Sequence, residues 1–374
     1  MSSAPAARSD GEPRPGPVRP VISDPAKIRR VLIVKLSSLG DVIHALPLAE
    51  SLRAGLGPSA EIVWAVRDKF ADLLTGNPHL TRVSILKGRD IGSTLELVRT
   101  LKTENRTGFD VAVDAQGLLL SGVITRLSGA PVRIGMDRNR EGNALFLTHP
   151  VVPGKQREHI VRKLLRYCDA LGLPALAPRP QRYLADGQRA AAQALLAESG
   201  EGPRIGLIVG ASTADKMWPA ENWAALAGIL EAKGLCVVLL GGPGERATAD
   251  RIRALAKGIS LVDLTGRTPI PVLASVMAEC DVVVGGDSGP THLAVGIGVP
   301  VVGLYGVTDP AMTGPEWGAA PAVTLDYAVT DAPPESRRPR HSTLTDALAR
   351  IPAPAVGDAV ERLLRNETAP KSST

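Results

Sequence analysis

Four short stretches carry residue types suited to a charged, hydroxyl-rich ligand. In Val31-Leu-Ile-Val-Lys-Leu-Ser-Ser-Leu-Gly-Asp-Val-Ile-His44, a β-branched run is followed by a lysine, two serines, a glycine and an aspartate. Asp41 there can cap a helix, because a first-turn carboxylate meets the positive helix end. It can equally serve as a general base: the helix end and Lys35 keep it ionised, and Gly40 lets a substrate approach the backbone. In Val284-Gly-Gly-Asp-Ser-Gly-Pro-Thr-His-Leu293, a buried run ends in small residues that open a helix. Free N–H groups at Ser288 and Gly289, with the helix dipole, suit a phosphate or pyrophosphate. Asp287 can accept from sugar hydroxyls or simply cap the turn. In Val209-Gly-Ala-Ser-Thr-Ala-Asp-Lys-Met-Trp-Pro219, Ser212, Thr213 and Lys216 offer two hydroxyls and a cation to a diphosphate, or form a solvated loop. Leu240-Gly-Gly-Pro-Gly-Glu245 places Glu245 either against ribose hydroxyls or in a first helical turn.

Other chemistries are not supported. The six histidines (44, 79, 149, 159, 292 and 341) lack ligand spacing, so no metal or cofactor is expected. His44 and His292 fall near the loops above and read as hydrogen-bonding or packing residues. No P-loop, dinucleotide fingerprint or nucleophile elbow occurs. Lys155-Gln-Arg-Glu-His-Ile-Val-Arg-Lys-Leu-Leu-Arg166 reads as a basic amphipathic helix, either solvated or turned to a membrane surface or a phosphorylated acceptor.

The elements that must position these loops alternate strand and helix. Strands are expected at Val31 to Val34, Glu61 to Val66, Val83 to Leu86 and Phe109 to Asp114, with short ones at Arg133 and at Leu145 to Thr148. One helix is expected from Val42 to Leu56 and another from Glu158 to Leu171. After a Pro-rich linker at 172–180 the alternation restarts, with strands at 204–209, 236–240, 261–264, 281–284 and 301–304 and a helix from His292 to Gly298. This order predicts an α/β fold of two doubly wound parallel-sheet domains facing a cleft. The expected division is a disordered extension at 1–27, domains at 28–180 and 181–350, and a terminal helix and tail at 351–374.

Composition agrees. The chain has 374 residues, enough for two domains, with 44% apolar residues but only 3% aromatics, so the cores must be aliphatic. A formal charge of +5 is too small to imply nucleic acid but suits anionic substrates. Three dispersed cysteines fit a reducing compartment. No apolar run spans a bilayer and no signal peptide opens the chain, so a cytoplasmic protein is expected.

Taken together, Val34-Lys-Leu-Ser-Ser-Leu-Gly-Asp-Val-Ile-His44, Asp215-Lys-Met-Trp-Pro219, and Asp287-Ser-Gly-Pro-Thr-His-Leu293 with Tyr305-Gly-Val-Thr-Asp-Pro310 resemble, in order, motifs of the bacterial lipopolysaccharide heptosyltransferases, glycosyltransferase family 9. Asp114-Ala-Gln-Gly-Leu118 looks more like heptosyltransferase I than II. The resemblance implies a GT-B fold of two Rossmann-like domains, the first binding acceptor and the second donor. It implies inverting, metal-independent transfer of heptose from ADP-L-glycero-beta-D-manno-heptose to the Kdo region of a Kdo-lipid A acceptor at the inner face of the cytoplasmic membrane, without a cofactor. Asp41 would then be the base, assisted by Lys35. Ser212, Thr213, Lys216, Glu245, Asp287, Ser288, Gly289 and His292 would hold the donor. Lys87, Arg89, Arg138 and Arg140 are acceptor candidates because they are basic and near strand ends. Ala211 departs from the pattern, as do the N-terminal extension and 329–340. A transferase of another nucleotide sugar, an epimerase of the same fold, or a non-catalytic nucleotide-sugar-binding protein are the competing readings.

Overall fold

The structure is a computed structural model and describes residues 20–105, 107–136, 141–151, 157–181, 186–318, 320–326 and 348–366. Segment 329–340 and most of the N-terminal extension lie outside them. Twelve strands form two all-parallel sheets among the described residues. The first holds β1 (Arg30–Val34), β2 (Glu61–Arg67), β3 (Arg82–Leu86), β4 (Val111–Asp114), β5 (Val132–Met136) and β6 (His149–Val151), in the order β3-β2-β1-β4-β5-β6. The second holds β7 (Arg204–Ile208), β8 (Cys236–Leu240), β9 (Leu261–Asp263), β10 (Val282–Gly286), β11 (Val301–Tyr305) and β12 (Ala322–Asp326), in the order β12-β11-β10-β7-β8-β9. Counted within its own half, the second sheet repeats the first. In each, the strand order reverses once, at β1/β4 and at β7/β10. Connections leave these neighbours in opposite directions and open a crevice at their C-terminal ends, where open α/β sheets bind ligands.

Helices cover both faces: α1 (Leu39–His44), α2 (Leu46–Leu56), α3 (Asp68–Ala71), α4 (Ile91–Glu104), α5 (Leu119–Leu127) and α6 (Ile160–Ala170) in the first half, then α7 (Asp186–Leu196), α8 (Ala220–Glu231), α9 (Arg246–Leu255), α10 (Ile270–Ala278), α11 (Gly289–Gly296) and α12 (Pro310–Thr313). Alternation along β1 sets the two cores. Val31 and Ile33 pack with Val42, Ile43 and Leu48, whereas Leu32 and Val34 pack with Leu97, Leu101 and Ile124. The last helix, Ala353–Leu364, buries Val356, Val360 and Leu363 in the outer core of the second sheet.

The alternation was read correctly from sequence, but five details differ. The helix expected from Val42 to Leu56 starts at Leu39 and is two helices broken at Ala45, with Pro47 in the first turn of the second. Leu145 to Thr148 is not a strand: a 3-10 turn at Asn143–Phe146 precedes β6, and its Phe146 carbonyl accepts from Arg133 Nε at 2.7 Å. The helix expected at His292 begins three residues earlier, at Gly289. Three labelled elements, α7, α12 and β12, have no counterpart among the sequence expectations. Finally, residues 20–27 are packed, with Val21 N–H donating to Ala170 O at 2.8 Å.

Between the halves, α1 lies directly on α11, and the inner cores of both sheets join through Ile43, Leu46, Leu293, Val295 and Ile297. Glycines permit the approach. A Cβ at Gly40 would stand 2.6 Å from His292 Cδ2 and 3.5 Å from Gly289 Cα. A Cβ at Gly289 would stand 2.8 Å from Leu39 Cβ. Gly40→Ala should therefore destabilise the protein by about 1–3 kcal/mol through overpacking, although alanine is the better helix former. Gly187→Ala, where a Cβ meets open space, should cause no loss. Urea denaturation of both variants checks this, and equal midpoints would refute it.

Candidate active site

The first crevice is built on the turn after β1. Asp41, third residue of α1, accepts from Ser38 N–H at 3.1 Å and from Ser38 Oγ at 2.9 Å through Oδ2. Its Oδ1 lies 3.4 Å from Lys35 Nζ. Capping thus engages one oxygen and leaves the side chain 43% exposed to the cleft. Burial pushes the Asp41 carboxyl up, but Lys35 and the Ser38 hydrogen bonds outweigh it and hold Asp41 below its ordinary value. Lys35 is buried; burial lowers its ammonium, opposed by Asp41 and Asp114. The turn is held from outside: Gln116 Oε1 accepts from Leu36 and Ser37 N–H, both at 3.0 Å, and Trp64 Nε1 donates to Lys35 O at 3.0 Å. Asp114 braces Gln116 in turn, accepting from Gly117 N–H at 2.8 Å and Gln116 N–H at 3.2 Å. Burial raises its carboxyl against those bonds.

The second crevice faces it. Lys216 closes the 3-10 turn Ala214–Lys216 and places Nζ 2.6 Å from Asp287 Oδ2. Asp287 Oδ1 lies 3.2 Å from His292 Nε2. Burial would raise Asp287, yet His292 and Lys216 hold it well below the usual carboxylate range. Thr291 Oγ1 donates to Gly286 O at 2.7 Å and meets Ser288 Oγ at 3.0 Å, which fixes the loop that opens α11. Glu245 lies over Gly210, Gly241 and Gly242, and a Cβ at Gly210 would collide with its side chain.

Both crevices open into one cavity of about 740 Å³, within the usual range for a ligand site. Lys35, Gly40 and Asp41 line it from one half; Ser212, Lys216, Glu245, Asp287, Ser288, Gly289 and His292 line it from the other. Thr213 is exposed and off the cavity wall. Lys87 and Arg89 are likewise exposed outside it, while Arg138 and Arg140 lie outside the described residues. The wall formed by the first half instead presents Lys69, Gln116 and Lys163, with Met312 and Thr313 opposite. Lys69 and Gln116 follow β2 and β4, so the strand-end rule that singled out Asp41 would also have found them.

Lys163 belongs to the basic helix read as solvated or turned to a membrane surface or a phosphorylated acceptor; its own side chain is buried and lines the cavity. In α6, Val161, Lys163, Leu164, Leu165, Tyr167 and Cys168 are buried, and Arg166 is bonded to Glu158 at 2.8 and 3.0 Å. The start of α6 reaches the second half, where Arg157 Nε donates to Asp309 Oδ2 at 2.8 Å and His159 Nε2 lies 3.1 Å from Gly314 O.

Two doubly wound sheets of matching topology, each contributing a lysine and an aspartate to one cleft, describe a GT-B glycosyltransferase. Solved structures agree. The glycosyl transferase family 9 protein of Veillonella parvula superposes with a TM-score of 0.80, at 24% identity, covering 93% of this chain and 100% of that one. The E. coli heptosyltransferase WaaC with ADP superposes with a TM-score of 0.69, at 26% identity, covering 89% and 99%. In sequence, the profile of glycosyltransferase family 9 (heptosyltransferase) matches residues 95–332. Lipopolysaccharide heptosyltransferase 1 of Salmonella typhimurium is 32% identical over 299 residues, 76% of this chain and 90% of the relative. That of Pseudomonas aeruginosa is 33% identical over 300 residues, 76% and 81%. The chain therefore belongs to glycosyltransferase family 9, the heptosyltransferases.

Three imidazoles meet at the cavity wall, which His44 and His292 line. The His44 ring centroid lies 4.2 Å from His292 and 5.8 Å from His159. Burial, then the neighbouring His292, drives His44 well below its ordinary value, and burial lowers His159 to about 4. Between that value and the unfolded value of about 6.5, the unfolded chain binds protons that the folded one does not. Stability should thus fall as pH drops from about 6.5 to about 4, each such imidazole contributing up to about 1.4 kcal/mol per pH unit. His159→Gln should flatten that slope in urea titrations; an unchanged slope would remove His159 from the account.

Proposed function

We propose that this enzyme transfers L-glycero-D-manno-heptose from its ADP-activated form to the Kdo region of a lipid A-linked acceptor, as a heptosyltransferase of type I, with inversion and without a metal. The observation that carries this reading is the facing pair of charge sets. Asp41, kept ionised by Lys35, looks across the cleft at the Lys216–Asp287–His292 group and the N-terminus of α11. Likeness to heptosyltransferase 1 over most of its length, and to a WaaC structure described as holding ADP-2-deoxy-2-fluoro heptose, supports this donor class.

In this mechanism Asp41 accepts the proton of an acceptor hydroxyl as its oxygen attacks the anomeric carbon. The bond from that carbon to the diphosphate breaks on the opposite face, and ADP leaves with the electron pair. Lys216 Nζ and the Ser288 and Gly289 N–H groups meet its charge, the task a metal performs elsewhere. Glu245 receives the ribose hydroxyls, with Ser212 beside the diphosphate. Asp287, held ionised, accepts from sugar hydroxyls and orients Lys216. Lys69 and Lys163 face the anionic acceptor.

Incubation with ADP-heptose and Kdo-lipid A tests the reading; absence of transfer would end it. Asp41→Asn should lower kcat by about 10²–10⁴-fold with little change in donor KM. Transfer should persist in EDTA, and loss there would contradict metal independence. Because Asp41 is held below its ordinary value, activity should stay on a plateau from neutral pH down through about pH 5 in short assays, with its acid limb below the usual carboxylate range. An acid limb near neutrality would exclude Asp41 as the base.

A further inference from the structure

Strands β1 and β4 pair as far as Val34 and Asp114, where the strand order of the first sheet reverses. One more bond follows, from Ala115 N–H to Val34 O at 3.1 Å. Beyond it the two chains separate, because β1 leads into α1 on one face of the sheet and β4 into α5 on the other. On its other side β1 keeps its neighbour for longer. Lys35 N–H donates to Ala65 O at 3.2 Å, and Leu36 O accepts from Arg67 N–H at 3.1 Å. The separation leaves Leu36 and Ser37 N–H with no backbone acceptor among the described residues. Backbone donors beside a buried strand end need a partner.

Gln116 supplies that partner. Its side chain crosses the gap, and Oε1 accepts both N–H groups at 3.0 Å. The next donor along, Ser38 N–H, goes to Asp41 Oδ2 at 3.1 Å. Three consecutive N–H groups are thus shared between two side chains, one of them the carboxylate that faces the cleft. Any shift of Leu36 and Ser37 carries Lys35 and Ser38 with it, and those two residues supply the contacts that hold Asp41. Gln116 is itself fixed. Asp114, fully buried, accepts from Gln116 N–H at 3.2 Å and Gly117 N–H at 2.8 Å through Oδ1, and from Asn143 Nδ2 at 3.3 Å through Oδ2. Tyr167 Oη donates to Asp114 O at 3.1 Å. Gly117 has a φ of 74°, which any side chain would strain. In Asp114-Ala-Gln-Gly-Leu118 the aspartate therefore closes the turn, the glycine permits it, and the glutamine spans the gap.

We propose that Gln116 is a positioning residue for the base: its amide oxygen holds the turn at 35–38 in the one conformation that aims Asp41 into the cavity. This role rests on the assignment of Asp41 as base; the brace itself does not. Its effect falls on rate rather than binding. A base must lie within hydrogen-bond reach of the proton it takes, and a misplacement of about 1 Å costs about 10²-fold. The long side chain is required because the two strands have already diverged where it acts. A neutral group is required because a carboxylate at 116 would accept the same N–H groups but add a second negative charge to the turn that carries Lys35 and Asp41. Gln116 also lines the cavity, so direct contact with the acceptor is the competing role, and kinetics separate the two.

Steady-state kinetics with ADP-heptose and Kdo-lipid A, together with amide hydrogen exchange of the free enzyme, test the proposal. Gln116→Met keeps the length of the side chain and leaves only a weak acceptor. It should lower kcat about 10–100-fold, with both KM values within about threefold of the wild type. Exchange at Leu36 and Ser37 should quicken at least about tenfold. Gln116→Ala, which adds no bulk, should repeat both results. Gln116→Glu restores an acceptor oxygen and should recover slow exchange and most of kcat. On an Asp41→Asn background, Gln116→Met should cost less than about threefold more, because its effect passes through that carboxylate. Circular dichroism melting verifies that each variant is folded. Unchanged exchange in Gln116→Met overturns the brace. A raised acceptor KM at constant kcat overturns the positioning role and assigns Gln116 to acceptor binding. Losses that multiply fully with Asp41→Asn overturn it as well. Full activity of Asp41→Asn alone would overturn the base assignment and this role with it, and that variant distinguishes such an outcome from a failure of the brace.

Discussion

The contact of α1 with α11 is the constraint on which the rest of the site depends. Each helix begins at the reversal point of its own sheet, so laying one on the other brings two ligand crevices into a single cavity. The approach is close because Gly40 and Gly289 carry no side chain where the helices touch. The apolar core then runs without interruption from one sheet to the other. Without that contact, Asp41 would be a capped aspartate on one domain and Asp287 a loop aspartate on another.

The two halves repeat a theme with different chemistry. Each sets a lysine against an aspartate at the end of a central strand. On the first side the pair is 3.4 Å apart and the carboxylate remains partly open, so it is ionised yet free to take a proton. On the second, Asp287 is buried and bonded to both Lys216 and His292. Its charge is committed to orienting neighbours, and it is a poor proton acceptor because it is held so far down. Burial and hydrogen bonding thus set two similar dyads apart, which is why the proposed mechanism assigns the base to one and donor binding to the other.

Amphipathic pattern shows where its reach ends in α4 and α6. The stretch from Lys155 to Arg166 has the more basic pattern, yet α6 is wedged against the domains with Lys163 inside and Arg166 paired to Glu158. Helix α4, with a weaker pattern, keeps Ile91 and Leu95 exposed. Which face of a helix meets solvent depends on what the neighbouring elements cover, and local periodicity does not contain that information.

Much of the architecture was legible in the chain itself. Short β-branched runs alternating with amphipathic segments dictate parallel sheets, because strands buried on both faces need crossover helices. Glycine, serine and aspartate after such runs mark strand-end turns, and so Asp41, Lys216, Glu245 and Asp287 could be named in advance. Tertiary structure alone decided the pairing of those turns across a cleft, the bonds of Lys216 and His292 to Asp287, the bracing of the Lys35 turn by Gln116, and the cleft-facing position of Lys163. All of these join residues from about 70 to 80 positions apart, or from opposite domains, except for the local His292 contact. Local preferences act over a few residues, so only the packing of whole sheets could bring such partners within hydrogen-bonding distance.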